Sequence, residues 1–260
     1  MKILGIESAS LVASAAIWED DILTAEYTVN FKKTHSQTLL PMIDEISRMT
    51  ELDTSSLDAV AVSAGPGSFT GLRIGAATAK GLGLSLALPL VAVPTLDAMA
   101  YQCFDAASAI CPIMDARRGQ VYNGLYRWEG GEFRALAPSR AVDMGQVIEE
   151  LNALGEPVVF LGDGVPVQLA NIQANVQVPW RIAPAFMNRE RAGAVAALGA
   201  RLLQEGKGMK AEDFAPEYLR ASQAERVRTE KGAADPSAAQ AEIQEAEAGI
   251  TVKSYGPHKG

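Results

Sequence analysis

The stretch GPGSFTGLRIG, residues 65–75, sets four glycines and an arginine among eleven positions. It follows an apolar run and opens a helical pattern, where backbone N–H groups and the positive end of a helix dipole can hold an anion. A phosphate cradle is therefore the first chemistry to consider. The P-loop pattern fails, because Leu72 and Arg73 follow Gly71 where Lys and Ser or Thr are required. The Gly-x-Gly-x-x-x-Gly spacing is not the dinucleotide fingerprint, and no acidic residue ends a strand about twenty residues on. Ser68 lies in GPGSF rather than in the Gly-x-Ser-x-Gly of a nucleophile elbow.

Other reactive side chains are scarce. His35 and His258 are the two histidines, too few for a histidine-based metal site or a Ser-His-Asp triad. His35 leads a helical pattern, where an N-terminal capping role or an exposed polar contact is expected. Cys103 and Cys111 do not amount to a disulfide framework. A net charge of −8 argues against a wide nucleic-acid face, which needs clustered Lys and Arg. MKILGIES runs straight into a strand pattern without the apolar stretch and cleavage site of a signal peptide. LGLSLALPLVAVP is broken by Pro89 and too short to span a bilayer. The expected location is the cytoplasm, with no membrane contact.

The elements that must position these residues follow a repeated order. KILGIES, LVASAAIW and ILTAEYTVN read as three strands joined by tight turns. HSQTLLPMIDEISRM is a helix with Leu39, Leu40, Ile43 and Ile46 at helical spacing, and Pro41 falls near its first turn. LDAVAVSAG, TGLRIGAATAKGLGLSLA and PLVAVP then read as strand, helix and strand. The second half gives strands in CPIMDARRGQVYNGLYRW around a turn at Arg117–Arg118–Gly119, with Tyr122, Tyr126 and Trp128 on one face. EFRALA, MGQVIEELNAL and PVVFLGDG follow as strand, helix and strand. RERAGAVAALGARLLQEG is an amphipathic helix with Ala194, Val195, Leu198 and Leu202 in one stripe. Two βββαβα-type halves predict two related lobes, residues 1–105 and 106–221. An Ala/Gln/Glu-rich flexible tail is expected over residues 222–260, with a short helix capped near Ser237.

Inside the second helix, Gly71, Gly75, Ala79 and Gly83 recur every four residues and form a ridge almost without side chains. Each glycine costs roughly 1 kcal/mol relative to alanine in a helix interior, so close packing should offset it. Two visitors fit such a ridge: the chain's own sheet, or the helix of a partner protein.

Taken together, ILGIESAS, HSQTLLPMIDEI, AGPGSFTGLRIGAATAKGL, MDARRGQVY, FLGDG and PEYLR resemble the bacterial TsaB (YeaZ) family, in that family's order and over about residues 1–220. The resemblance implies an α/β, two-lobed actin/sugar-kinase/Hsp70-like fold. It further implies a non-catalytic subunit required for threonylcarbamoyladenosine at position 37 of tRNAs that read codons beginning with A. The implied partners are the transferase TsaD and the ATPase TsaE, with tRNA met indirectly through the complex and a homodimer formed in TsaD's absence. TsaD docking is expected through the helices near 38–49 and 71–86, on His35, Leu39, Leu40, Ile43, Gly71, Leu72, Gly75, Ala79 and Gly83.

By the same resemblance, Thr95 and Met99 fall where a TsaD-like transferase carries its metal-binding histidines, and neither is a suitable ligand. Glu7, Ser8 and Asp115 fall at the strand ends that face a nucleotide in this fold. Glu7 replaces the family's more frequent aspartate, and the extra methylene pushes its carboxylate further out. No intrinsic cofactor is expected; weak or shared ATP or ADP with Mg at the complex interface is what the fold would allow. The alternative is an active kinase of this fold or a metal-dependent transferase or peptidase, which needs catalytic carboxylates or ligand clusters that the sequence supplies only in part.

Overall fold

Two sheets with the same strand order organise the chain. In the first, β1 (Lys2–Glu7), β2 (Val12–Glu19), β3 (Ile22–Asn30), β4 (Ala59–Gly65) and β5 (Leu90–Pro94) lie in the order β3-β2-β1-β4-β5. In the second, β6 (Ala109–Asp115), β7 (Gln120–Glu129), β8 (Glu132–Asp143), β9 (Val158–Leu161) and β10 (Trp180–Ile182) lie in the order β8-β7-β6-β9-β10. Each sheet has three antiparallel strands followed by two parallel ones. The computed structural model describes residues 1–104 and 106–220. The tail expected over 222–260, with its helix near Ser237 and with His258, lies outside the described residues.

Alternation along β1 shows how the first sheet is covered. Leu4 and Ile6 face α1 (His35–Met49) and α2 (Phe69–Leu86), packing with Leu39, Met42, Ile43, Ala76 and Ala79. Ile3 faces the other side and packs with Ala61, Val93, Val195 and Leu198. That second cover is α6 (Ala192–Gln204), the last α-helix among the described residues. It lies close because small residues meet: a methyl on Gly5 would strike the Ala192 carbonyl and Ala196, and one on Gly199 would strike Ala61. Burial of Val195 and Leu198 contributes about 1.5–3 kcal/mol each.

The predicted boundary at residues 105 and 106 therefore needs correction. α6 and the short strand β11 (Gly208–Met209), which pairs with β5, belong to the first sheet although they lie within 106–221. α3 (Thr95–Tyr101) lies between the two sheets, packing on α6, β4 and β5 on one side and on β6, β7 and β8 on the other. α4 (Met144–Leu154) and α5 (Gly164–Asn175) complete the second lobe, with Val147, Leu151, Val165 and Ile172 buried against Cys111, Ile113 and Phe160. Tyr126 and Trp128 face the α3 side with Leu96 and Met99, and Tyr122 packs at the edge of that cluster.

Pro41 sits in the second turn of α1 rather than its first. The helix runs through it because Gln37, whose carbonyl would have accepted the missing N–H, is exposed to water on the same outer side.

Candidate functional site

The glycine block closes on its own chain. Ser68 caps α2, its hydroxyl accepting from the Gly71 N–H at 3.3 Å, while its own N–H donates to the Ala9 carbonyl at 2.6 Å. The positive end of α2 thus meets the turn between β1 and β2. A methyl on Gly67 would strike Ala9, and one on Gly65 would strike the Glu217 carbonyl. Residues 214–218 lie over this junction: Glu217 N–H donates to the Ala64 carbonyl, and Tyr218 packs on Phe69 at 4.6 Å between ring centroids. Arg73 points outward, its guanidinium 4.0 Å from the Phe69 ring. The glycines of the block are thus taken up by approaches within the chain.

The ridge of Gly71, Gly75, Ala79 and Gly83 is likewise turned inward. A methyl on Gly71 would strike the Ser8 carbonyl, one on Gly75 the Ser8 hydroxyl, and one on Gly83 Leu90 and Ala211. Ala79 is fully buried. The expectation that this ridge carries a partner is corrected: the first lobe occupies it. Leu39, Ile43 and Leu72, also expected at the partner surface, are core residues for the same reason. His35 is neither an N-cap nor exposed. It is buried against Gly71, with Nε2 2.8 Å from the Ser10 carbonyl, and Thr34 precedes the helix without a side-chain cap. Among the expected docking residues Leu40 is outward, 54% exposed.

What α2 shows to solvent is a second smooth stripe. Arg73, Ala77, Gly81 and Ser85 recur every four residues on the exposed side, with Leu84 55% exposed beside them. Nothing lies within 4 Å of the place where a Gly81 methyl would be. α1 packs alongside α2 and presents Leu40, Pro41 and Asp44 outward.

The three residues expected at a nucleotide lie in different surroundings. Glu7 is fully buried, and its Oε1 accepts from the Ala9 N–H at 2.5 Å. Burial, and then the charge of Glu190, push its carboxyl up to about 8, which favours the neutral acid at pH 7. A neutral, sealed acid is poorly suited to hold a cation. Ser8 donates its hydroxyl to the Gly71 carbonyl at 3.0 Å. Asp115 is exposed and accepts from the Arg117 N–H at 2.8 Å, capping a turn in which Arg117, Arg118 and Gly119 all take positive φ. These residues do not fit a Mg-nucleotide site. Thr95 and Met99 are buried on α3, and among the described residues no group of three His, Cys, Asp or Glu is placed to hold a metal ion.

Residues 187–191 run from the second sheet into α6; the sequence pattern placed Arg189, Glu190 and Arg191 inside that helix, which instead begins at Ala192. Gly162 N–H donates to the Asn188 carbonyl, and Gln102 Nε2 donates to the carbonyls of Met187 and Arg189. Ser10 Oγ donates to Glu190 Oε2 at 2.8 Å, and Arg191 pairs with Glu26 on β3. Glu190 is buried, yet it lies outside the apolar stripe of Ala194, Val195, Leu198 and Leu202, so no local signal announced it.

Two sheets of matching order, joined by this segment and by α3, define a two-lobed actin/sugar-kinase/Hsp70-like protein. YeaZ from Pseudomonas aeruginosa has this fold, with a TM-score of 0.72 at 24% identity over 84% of this chain and 99% of that one. A family model described as TsaD: tRNA N6-adenosine threonylcarbamoyltransferase matches residues 26–227. The tRNA threonylcarbamoyladenosine biosynthesis protein TsaB of Bacillus subtilis is 32% identical over 86% of this chain and 96% of its own length. Its namesake in Escherichia coli is 33% identical over 63% of this chain and 72% of its own. The chain belongs to the TsaB family. Among the described residues, no helix is long and apolar enough to cross a membrane.

Proposed function

We propose that this protein is the non-catalytic partner of a TsaD-type transferase in threonylcarbamoyladenosine synthesis at position 37 of tRNAs reading codons that begin with A. Membership of the TsaB family supports the pathway, and the TsaD family model over most of the chain supports a partner with the same fold. The observation that carries the docking reading is the outer stripe of α2. Ala77, Gly81 and Ser85 leave a helix backbone open beside the exposed Leu40 and Leu84, a surface on which another helix can lie closely. TsaE and tRNA join through the assembly, and the same surface pairs two copies when TsaD is absent. Any ATP or ADP in the assembly is shared at the interface rather than held by this chain alone.

Reconstitution tests the reading. Modification of tRNA from threonylcarbamoyl-adenylate by TsaD and TsaE should depend on this chain, and the chain alone should give none. Gly81→Leu and Ala77→Leu should fold normally and lose TsaD binding. Modification that proceeds equally well without the chain would remove the proposal; normal binding by both variants would move the docking surface elsewhere.

A further inference from the structure

Two buried carboxyls grip the same turn from opposite sides. Glu7, at the end of β1, takes the Ala9 N–H; Glu190, in the segment between the sheets, takes the Ser10 hydroxyl. Ser10 Oγ in turn accepts from the Val12 N–H at 3.1 Å, so the turn from Ser8 to Val12 hangs on both acids. Each acid keeps one oxygen without a partner, Oε2 of Glu7 and Oε1 of Glu190, and both atoms are closed off from solvent. The residues are 0% and 1% exposed. An ionised carboxylate in such a place has one oxygen with neither water nor a donor, and a second like charge nearby raises the cost.

We infer that Glu7 and Glu190 form a proton-operated latch, holding the β1–β2 turn against residues 187–191 while the pair carries a proton and releasing that segment when both carboxyls ionise. The latch works within this chain, whatever partner α1 and α2 carry.

The direction of release follows from the backbone. β1 is paired on both sides, with β2 and β4, so Glu7 is fixed. Glu190 stands outside any strand or helix and is held by side-chain and turn contacts, so that side yields. The charged groups around the pair come from several elements. Asp163, before α5, adds negative charge at Glu190, and Arg189 offsets part of it. Asp115 acts on Asp163 in the same sense. At Glu7, Ser63 on β4 and the Ser8 and Ala9 N–H groups favour the ionised form without overcoming burial. The His35 ring holds the Ser10 carbonyl of the same turn, and Arg191 is taken by Glu26. None of these supplies a donor to the two orphan oxygens.

Burial and Glu190 lift Glu7 to about 8, while burial and Asp163 lift Glu190 to about 7. The folded chain therefore holds more protons than the unfolded one from the ordinary carboxylate range upward. The contribution to stability is complete below that range and is lost as pH rises through about 7 to 8.

Hydrogen exchange on the full chain tests the latch. Between pH 6 and pH 9, after correction for the intrinsic pH dependence of exchange, protection of residues 8–12 and 187–191 should fall about tenfold or more, since each pKa unit is a factor of ten. Amides of β6 and β9 should keep theirs. In Glu190→Gln one ionising member of the pair is gone, and with it the charge that helps lift Glu7, so the local loss should shrink sharply; Glu7→Gln should behave alike. Equal protection of the wild-type segment at both pH values would overturn the proposal even if neither variant folds. An unchanged pH response in a folded Glu190→Gln would overturn it as well.

Discussion

Ser8 Oγ donates a 3.0 Å hydrogen bond to the Gly71 carbonyl, and a methyl on Gly71 would strike the Ser8 carbonyl. This contact between the β1–β2 turn and the first turn of α2 accounts for the glycines of the 65–75 block. They serve an approach within the chain, helix backbone to turn backbone.

Substitution along α2 should therefore split by face. Gly71→Ala and Gly75→Ala overpack against Ser8 and should each cost roughly 1–3 kcal/mol. Gly81→Ala meets open space and should stabilise by about 1 kcal/mol, the helix-interior difference between the two residues. Denaturant melts of the three variants check both signs.

The inner end of α1 depends on a buried imidazole. His35→Ala leaves the Ser10 carbonyl without its 2.8 Å partner and opens space beside Gly71. A loss of about 1–3 kcal/mol is expected, from a buried acceptor left unpaired. Thermal unfolding measures it.

α6 starts without a side-chain cap of its own and borrows two from the sheet beneath it. Ser14 Oγ accepts from the Ala192 N–H at 3.1 Å, and Glu26 Oε1 accepts from the Gly193 N–H at 2.9 Å while also holding Arg191. Ser14→Ala should cost ~1 kcal/mol, the typical loss of a cap. Glu26→Ala should cost more, because Arg191 loses its partner too. Exchange protection of the first turn of α6 should fall in both variants.

Between the lobes, the Tyr126 hydroxyl donates to Asp97 Oδ1 at 2.7 Å, joining β7 to α3. Burial raises the Asp97 carboxyl, and the tyrosine hydroxyl works against that rise by favouring the ionised form. Tyr126→Phe should push the carboxyl up further. An acid raised by folding stabilises at low pH and loses that contribution as pH climbs through its folded value. The variant should thus be more destabilised at pH 8 than at pH 5, which melts at the two pH values would show.

The duplicated strand order was legible in the sequence because each half carries the same succession of apolar runs and turn residues. The ridge of Gly71, Gly75, Ala79 and Gly83 was legible too, but its direction was not: spacing identifies a helix face without saying which body it meets. A smooth stripe at Ala77, Gly81 and Ser85 escaped notice because alanine and serine are unremarkable one at a time. α5 was missed since its buried positions, Val165, Gln168 and Ile172, include a polar residue and make a weak pattern. Glu190 could not be read at all. Its burial depends on the lobe that α6 joins, and amphipathic spacing alone does not name the destination.

The helix closing one face of the first sheet is encoded after the whole second sheet. During translation β1 to β5 emerge with Ile3, Ala59, Ala61, Val91 and Val93 uncovered, and they remain so until α6 has been made. At ~5–20 residues per second that interval lasts roughly 5–20 seconds. The second sheet has all its strands by Ile182. The lobe read first by the ribosome is finished last.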